Sequence, residues 1–273
     1  MKFADPKNDV AFHKIFGNEN KKVILISFLN SVLDLKHGYK IVDLTFKDSY
    51  QLPKISSLKS SIIDVKVKDQ KKNSYIVEMQ VSETDGFDKR VQYYVSKEYA
   101  NQIEKGDDYP KLTPVVFVGI LDFKYFKGKD YITQHIILNK KTMENDLKDI
   151  NFNFVELPKF KKKLEECKSL VDKWIFFIKN AKNLKIVPEG IEDKGLKEAY
   201  KESDKHNWTK DELEMYDYFS MREQDERGKM TLAIRRAKEQ GKIEIAKEMK
   251  QNNESMEKIL KYTGLTVEEI EKL

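Results

Sequence analysis

The sequence predicts an α/β fold, in which a mixed sheet is flanked by helices and followed by an α-helical C-terminal region. Three observations carry this prediction. Helical periodicity opens the chain, three short strand-like segments follow, and a second amphipathic helix precedes a continuous apolar run at 114–123. Such a run is typical of a strand buried on both faces. Beyond Pro158 the remaining patterns are helical.

The composition is that of a folded protein. The chain has 273 residues, which is enough for one full-sized core with an appendage, or for two domains. Charged residues make up 36%, above the usual quarter or so. Most of the positive charge is lysine, which by itself is no signal for nucleic-acid binding. The net charge of +5 permits a polyanionic partner without requiring one.

Cysteine content and hydropathy narrow the setting. Cys167 is the only cysteine, so the chain has no intramolecular disulfide and no Cys-rich zinc site. A single cysteine fits a reducing cytosol. The N-terminus lacks the apolar stretch of a signal peptide, and no run reaches membrane-spanning length. We therefore expect a cytoplasmic protein with no membrane partner.

The individual elements follow from periodicity and breakers. Apolar residues recur at helical spacing over 9–35 but are interrupted at 17–20, which predicts a short helix, a break and a longer helix. Asn8 or Asp9 is suited to cap the first helix. The later elements predicted before Pro158 are strands at 41–46, 61–65 and 75–80, a helix at 87–104, and strands at 114–123, 131–138 and 152–157.

Three regions are predicted along the chain: a core at 1–158, a helical extension packed on it at 159–220, and a helical tail at 221–273. Helices are expected at 160–180, 194–205, 211–222 and 221–250, with two short helices around Gly264. The long tail helix carries a thin apolar stripe, which predicts a homodimer through the C-terminal helices. The residues of this tail stripe are Ile234, Ala237, Ile243, Ala246 and Met249.

The second and third strands each carry an acid, Asp64 and Glu78. The polar stretch at 68–74 reads as a turn, so the two strands form an antiparallel ribbon with one carboxylate near the middle of each. Glu78 and Gln80 share a face because side chains alternate along a strand. If Asp64 points to that face as well, two carboxylates converge, and burying them without a counter-charge is costly. Hard oxygen ligands of this kind suit Mg²⁺.

Spacing alone leaves a second interpretation equally open, because acids on strands often point to solvent. The context favours a site: both acids directly follow apolar residues, and a fully apolar strand comes later in the chain. His13 and His135 are isolated histidines, for which a structural role is the better interpretation.

The order of these motifs resembles the PD-(D/E)xK nuclease superfamily. More narrowly, it resembles the Rpn family of recombination-promoting nucleases, also called PD-(D/E)xK family transposases. The similarity spans nearly the whole chain, and several matching strings in the right order are more specific than any one of them. The strings lie at 5–17, 26–30, 63–66, 76–80, 90–94, 96–99, 106–109, 112–115, 155–160 and 263–270.

The resemblance implies a restriction-endonuclease-like fold in which Asp64 and Glu78 bind metal and Gln80 stands at the position of the superfamily's lysine. Many Rpn-like sequences carry glutamine there. A lysine orients or deprotonates the attacking water, whereas a neutral amide only forms hydrogen bonds. A displaced cation is therefore expected, and the candidates are Lys66, Arg90 and Lys14. Asp9 is either a third metal ligand or the helix cap.

The expected function is a Mg²⁺-dependent DNA endonuclease, with Mn²⁺ as a second possible cofactor and DNA as partner. The resemblance implies a role in recombination, mobile-element activity or defence. One alternative is a catalytically degenerate nuclease fold that binds DNA or protein, which Gln80 favours. Another is a helical interaction protein, which the tail stripe favours. Intact Asp64 and Glu78 favour the enzyme.

Overall fold

A computed structural model of the protein describes residues 3–47, 50–51 and 61–273. The strands are β1 (Leu44–Lys47), β2 (Tyr50–Gln51), β3 (Ser61–Ile62), β4 (Val65–Asp69), β5 (Ser74–Gln80), β6 (Val115–Leu121), β7 (Ile132–Ile136) and β8 (Ile150–Glu156). The α-helices are α1 (Asp9–Phe16), α2 (Lys22–Val32), α3 (Phe87–Ala100), α4 (Leu170–Asn180), α5 (Lys194–Ser203), α6 (Lys210–Gln251), α7 (Met256–Thr263) and α8 (Val267–Glu271).

Six strands form one mixed sheet in the order β1-β4-β5-β6-β8-β7. Strands β4 and β5 pair antiparallel, as do β1 with β4 and β7 with β8, while β6 runs parallel to both β5 and β8. Strands β2 and β3 pair separately. The mixed sheet with flanking helices confirms the predicted fold class. The parallel strands β5, β6 and β8 therefore end at the same edge of the sheet.

The predicted ribbon is β4 and β5, joined by a tight turn. The Asp69 carboxylate accepts hydrogen bonds from the backbone N–H groups of Lys71 and Asn73, and Lys72 adopts a left-handed conformation. One part of the prediction is wrong: Asp64 does not sit near the middle of a strand. It forms a bend one residue before β4. Its carboxylate accepts a hydrogen bond from the backbone N–H of Met79, so a side-chain contact replaces a ladder hydrogen bond here.

The sheet is buried on both faces. Helices α1, α2, α4 and α5 cover one face with large side chains such as Phe12, Phe28, Trp174 and Tyr200. Helix α3 covers the other face, where its apolar residues pack against β5, β6 and β8. Glu78 and Gln80 alternate with Val77 and Met79 of the first face and therefore point towards α3. The fold thus places the motif acids between the sheet and one helix.

Helix ends follow the local sequence. Asn8 caps α1, since its side-chain oxygen accepts hydrogen bonds from the N–H groups of Val10 and Ala11, so the alternative that Asp9 is the cap is wrong. Helix α3 begins after Gly86, whose φ of 70° lies in the left-handed region that favours glycine. The break predicted at 17–20 is present between α1 and α2.

The C-terminal helices differ from the prediction in two places. The helix expected at 160–180 begins only at Leu170, because two short 3-10 helices and an extended link occupy 157–166 and Ser169 caps the helix. The helices expected at 211–222 and 221–250 are one continuous helix, α6. Glycines 228 and 241 are tolerated inside it, since a helical glycine costs only about 1 kcal/mol.

The chain divides into two compact units, Met1–Tyr216 and Asp217–Leu273, with the boundary inside α6. The predicted three-part division remains a prediction. Residues 159–216 contribute Trp174 and Tyr200 to the core of the first unit. None of the helices in the described part of the chain combines the length and hydrophobicity that a membrane span requires.

The second unit has a small core of its own, centred on Ala246, Ile259 and Ile270 of three helices. Met249 packs against it, so two members of the tail stripe are used within the unit. Ile234 is 49% exposed. The homodimer through the tail stripe remains a prediction, now with fewer apolar residues available to it.

We expect Ile259→Ala to unfold the end of the second unit without affecting the first. Truncating a buried isoleucine costs about 2–5 kcal/mol, and a core this small has little to replace it. Hydrogen exchange should show lost protection in α7 and α8 with unchanged protection in the sheet. Ile245→Ala, on an exposed position of α6, is the matched control and should change neither. Unchanged protection of α7 in the Ile259 variant would contradict the assigned core.

Candidate active site

The two acids of the ribbon lie side by side. Val65 pairs with Val77, and one step along this register Asp64 lies opposite Glu78. The backbone N–H of Met79 donates a 2.8 Å hydrogen bond to Asp64 Oδ2, which holds the bend against the end of β5. Glu78 is only 4% exposed. The structure therefore brings Asp64 and Glu78 together at one side of the sheet, half-buried and buried respectively.

Apolar side chains beside Glu78 limit its contact with water. Gly119 of β6 is the direct neighbour of Glu78 in the parallel pairing. A Cβ atom at Gly119 would lie 2.9 Å from the Phe117 ring and 3.0 Å from the Phe154 ring, closer than real Cβ contacts allow. The missing side chain lets the two rings close over the sheet beside the acid. Glu78 consequently has apolar neighbours where a strand residue would otherwise meet water.

Burial raises the pKa of both carboxyl groups. For Glu78 the pKa is raised to about 8, first by loss of water and then by the negative charge of Asp64, with Arg90 opposing the shift. For Asp64 the pKa is raised to about 6, again mainly by burial, while the Met79 N–H opposes the shift and the charge of Asp9 adds to it. Without a cation, both carboxyl groups therefore hold a proton to higher pH than an exposed acid does.

Gln80 and Arg90 connect to Glu78 through a chain of hydrogen bonds. Arg90 Nη2 donates to Gln80 Oε1 at 2.8 Å, and Gln80 Nε2 donates to Glu78 Oε2 at 3.2 Å. This orientation of the amide is electrostatically favourable, because its NH₂ group faces the carboxylate and its oxygen faces the guanidinium. Within the described residues, the buried Nε of Arg90 has no hydrogen-bond partner.

The other two candidate cations are engaged elsewhere. Lys66 shares the face of Glu78, but its ammonium forms an ion pair with the buried Glu98 at 3.3 Å. Lys14 pairs with Glu212 and lies over the Trp208 ring. The structure therefore brings Arg90 to the acids and does not bring Lys66 or Lys14. The role of each in catalysis remains a prediction, and these ion pairs favour Arg90.

Helix α1 presents two further groups to the site. Asp9 and His13 are four residues apart and exposed, and the charge of each acts on Asp64: that of Asp9 raises its pKa and that of His13 lowers it. Sequence alone favours a structural role for His13, but this residue is exposed and does not lie in the core. The spacing of Asp9 and His13 by one helical turn is the sequence signal that points to the site instead.

Tyr94 is a second residue that the sequence analysis did not assign to the site. It follows Arg90 by one turn of α3, and its pKa is raised by burial and then by the charges of Glu78 and Asp64. His135, by contrast, stacks on Phe126 with ring centroids 4.5 Å apart, in keeping with a structural role.

The residues present fit a divalent metal ion. Among the described residues, no three His, Cys, Asp or Glu side chains are arranged to hold a metal ion, so Asp9 does not complete a cluster with Asp64 and Glu78. Two carboxylates are nevertheless what Mg²⁺ commonly takes from a protein, with water and substrate oxygens as the other ligands. The raised pKa values of both acids show that their surroundings disfavour the charged carboxylates, which a bound cation would stabilise.

The comparison with known families gives one match. The sequence model of the PD-(D/E)XK nuclease family transposase matches residues 6–233. The chain belongs to this family. No curated protein and no solved structure matches the chain. Membership of the PD-(D/E)XK transposase family supports a nuclease or transposase-related function and makes DNA the expected substrate. The matched region includes Asp64, Glu78, Gln80 and Arg90.

The raised pKa values predict how stability depends on pH without added metal. A carboxyl whose pKa is raised by folding binds its proton more firmly in the folded state, so the free energy of unfolding falls as pH rises from about 4, the ordinary value, towards the raised values. Glu78→Gln should reduce this fall and stabilise the protein at pH 8 by on the order of 1–3 kcal/mol. Thermal unfolding between pH 5 and about pH 8 in EDTA measures it.

Glu83→Gln is the matched control, because Glu83 is an exposed acid shortly after the same strand. It should retain the pH dependence of the parent protein. Identical pH profiles for both variants and the parent would show that the buried pair does not set the stability of the fold.

Proposed function

We propose that the protein is a metal-dependent DNA endonuclease of the recombination-promoting type, with Asp64 and Glu78 as metal ligands. The observation that carries the proposal is the hydrogen-bonded chain from Arg90 through Gln80 to Glu78, beside Asp64. It places a positive charge and a polar amide next to one buried and one half-buried acid. Phosphodiester hydrolysis needs these elements: negative groups for a cation, and a group that orients water.

The metal would be Mg²⁺, with Mn²⁺ as an alternative that accepts the same carboxylate ligands. When bound, such an ion polarises a phosphate oxygen and makes water a better nucleophile at neutral pH. The two acids are suited to it because hydrogen bonds hold both in place: the Met79 N–H donates to Oδ2 of Asp64, and the Gln80 amide donates to Oε2 of Glu78.

Gln80 and Arg90 together would do what a lysine does in the superfamily. Arg90 fixes the amide through its oxygen, and the guanidinium charge opposes the negative charge of Glu78. The amide stays neutral, so it would orient the attacking water without taking its proton. The guanidinium would stabilise the charge that develops on the phosphate, since arginine suits phosphate recognition.

A second candidate function is a module that binds DNA without cutting it. The neutral side chain at position 80 favours it, because a glutamine carries no ammonium group. The two functions differ in one measurement, the nicking of supercoiled plasmid with Mg²⁺, Mn²⁺ or EDTA. Cleavage that needs metal, and that Asp64→Asn abolishes, supports the endonuclease. DNA binding with no cleavage under any of these conditions would support the module instead.

Gln80→Ala should lower the cleavage rate at least tenfold, or about 1.4 kcal/mol in the barrier, because the water loses its orienting amide. Gln80→Lys should keep or raise the rate, since it returns a cation to the strand. Gln92→Ala is the matched control, as an exposed glutamine on α3, and should cut like the parent. If Gln80→Ala also cuts like the parent, Gln80 does not orient the water.

Arg90→Met should be at least as slow as Gln80→Ala, because it removes the guanidinium as well as the contact that holds the amide, and the double variant should be little slower than Arg90→Met. Two residues that act through one hydrogen-bonded chain lose their effect once, so their energies are not additive. Lys89→Met, an exposed neighbour on α3, controls for loss of positive charge. Single-turnover rates at saturating metal test this. If the rate reductions of the two single variants multiply in the double variant, Gln80 and Arg90 act independently.

A further inference from the structure

A hollow of about 500 Å³ lies beside α4 in the first unit, away from the two acids. Four lysines line it, Lys161, Lys162, Lys163 and Lys179, and we call it the lysine hollow. Phe160 and Phe176 are among the apolar residues of its wall, and Glu165 is its acidic residue. Neither the motif acids nor Arg90 contributes to it.

Three consecutive lysines follow Phe160, and they differ in whether they have an ion-pair partner. The backbone is extended at Phe160 and at Lys163. Lys162 is half-buried and forms an ion pair with Asp172 at 2.8 Å. Its neighbours Lys161 and Lys163 are exposed. The middle lysine is therefore engaged in an ion pair, whereas Lys161 and Lys163 are not, and their charges remain at the hollow.

Lys179 supplies the third charge from α4. Its ammonium donates a hydrogen bond to the Phe160 carbonyl, which holds it at the wall. Burial lowers the pKa of Lys179, and the positive charges of Lys161 and Lys7 lower it further. Among the described residues, no ion pair involves Lys161, Lys163 or Lys179. Glu165 lines the hollow and the charge of Asp122 opposes the lowering of the Lys179 pKa, but neither acid forms an ion pair with these three lysines, so the lysine hollow keeps an excess of positive charge.

A series of contacts connects the lysine hollow to the proposed active site. The backbone N–H of Asp122, just after β6, donates to the Gln80 carbonyl at 2.9 Å. The Asp122 carboxylate pairs with Lys7 at 2.9 Å, and the charge of Lys7 acts on Lys179. The lysine hollow and the acids therefore lie near the same end of the sheet, where β5 and β6 terminate.

We propose that the lysine hollow binds a backbone phosphate of duplex DNA, away from the bond that is cut. This inference rests on the proposed function for the choice of DNA as the polyanion. A phosphate would neutralise charges that otherwise repel one another, and release of counterions from the duplex would favour binding. Lysine binds phosphate as a point charge and needs no fixed geometry, which fits flexible side chains around an open hollow.

The test uses the full chain with Lys161→Ala and Lys163→Ala combined, since both residues are exposed and their loss leaves no buried acid unpaired. Lys140→Ala with Lys141→Ala is the matched control: the same change of charge, on exposed residues of the segment between β7 and β8. Fluorescence anisotropy with a labelled duplex of about two helical turns, in EDTA over a salt series, measures the Kd.

We expect the Kd of the hollow variant to rise about tenfold. The slope of log Kd against log salt should fall by roughly 1–2, since about 0.9 is lost per phosphate contact. The control should change the Kd less than twofold. In a scan of neutral methylphosphonate linkages, one position should weaken the parent and leave the hollow variant unaffected. Equal weakening by the two variants, or no such position, would overturn the proposal.

Cleavage is measured separately, so that the two proposals can fail independently. At saturating DNA the hollow variant should cut at the rate of the parent. A parent that binds DNA without cutting, while the hollow variant binds more weakly, would refute the endonuclease and support the lysine hollow. A parent that cuts, with unchanged Kd and salt slope in the hollow variant, would refute the lysine hollow and leave the endonuclease standing.

Discussion

The removal of two adjacent acids from much of their water is the constraint around which the candidate active site of the first unit is arranged. Asp64 and Glu78 are adjacent, and burial raises the pKa of both. A fold tolerates such a pair only if the backbone holds it firmly and some charge opposes it. The Met79 N–H provides the first and Arg90 contributes to the second. The remaining imbalance is the physical reason to expect a cation at the site.

Much of this arrangement could be predicted from sequence, because it depends on local pattern. Alternation along β5 put Glu78 and Gln80 on one face, and the apolar run at 114–123 marked a strand buried on both faces. The bend at Asp64 could not be predicted, since it depends on a hydrogen bond to Met79 across the ribbon. The choice among three cations was equally hidden, because it depends on contacts between different elements: Lys66 pairs with Glu98, Lys14 with Glu212 and Arg90 with Gln80.

Two surfaces of the first unit differ in how they treat charge. At the acids, negative groups are buried and partly compensated by fixed hydrogen bonds. At the lysine hollow, Lys162 is paired with Asp172, whereas Lys161, Lys163 and Lys179 form no ion pair with an acid in the described part of the chain. Both lie where β5 and β6 end, and Asp122 contacts Gln80 on one side and Lys7 on the other. Charge of opposite sign is thus displayed along one edge of the sheet.

The Lys66–Glu98 ion pair has a consequence for how Arg90 is aimed. Arg90, Tyr94 and Glu98 are spaced four residues apart and lie along one stripe of α3. Glu98 is tied to β4 through Lys66 and to Ser74 of β5, while Arg90 is tied to β5 through Gln80. The helix is therefore fastened at two points roughly 12 Å apart along its axis. With both points fixed, α3 cannot roll about its long axis. The Lys66–Glu98 ion pair thus helps to set the angle at which the guanidinium of Arg90 faces the acids.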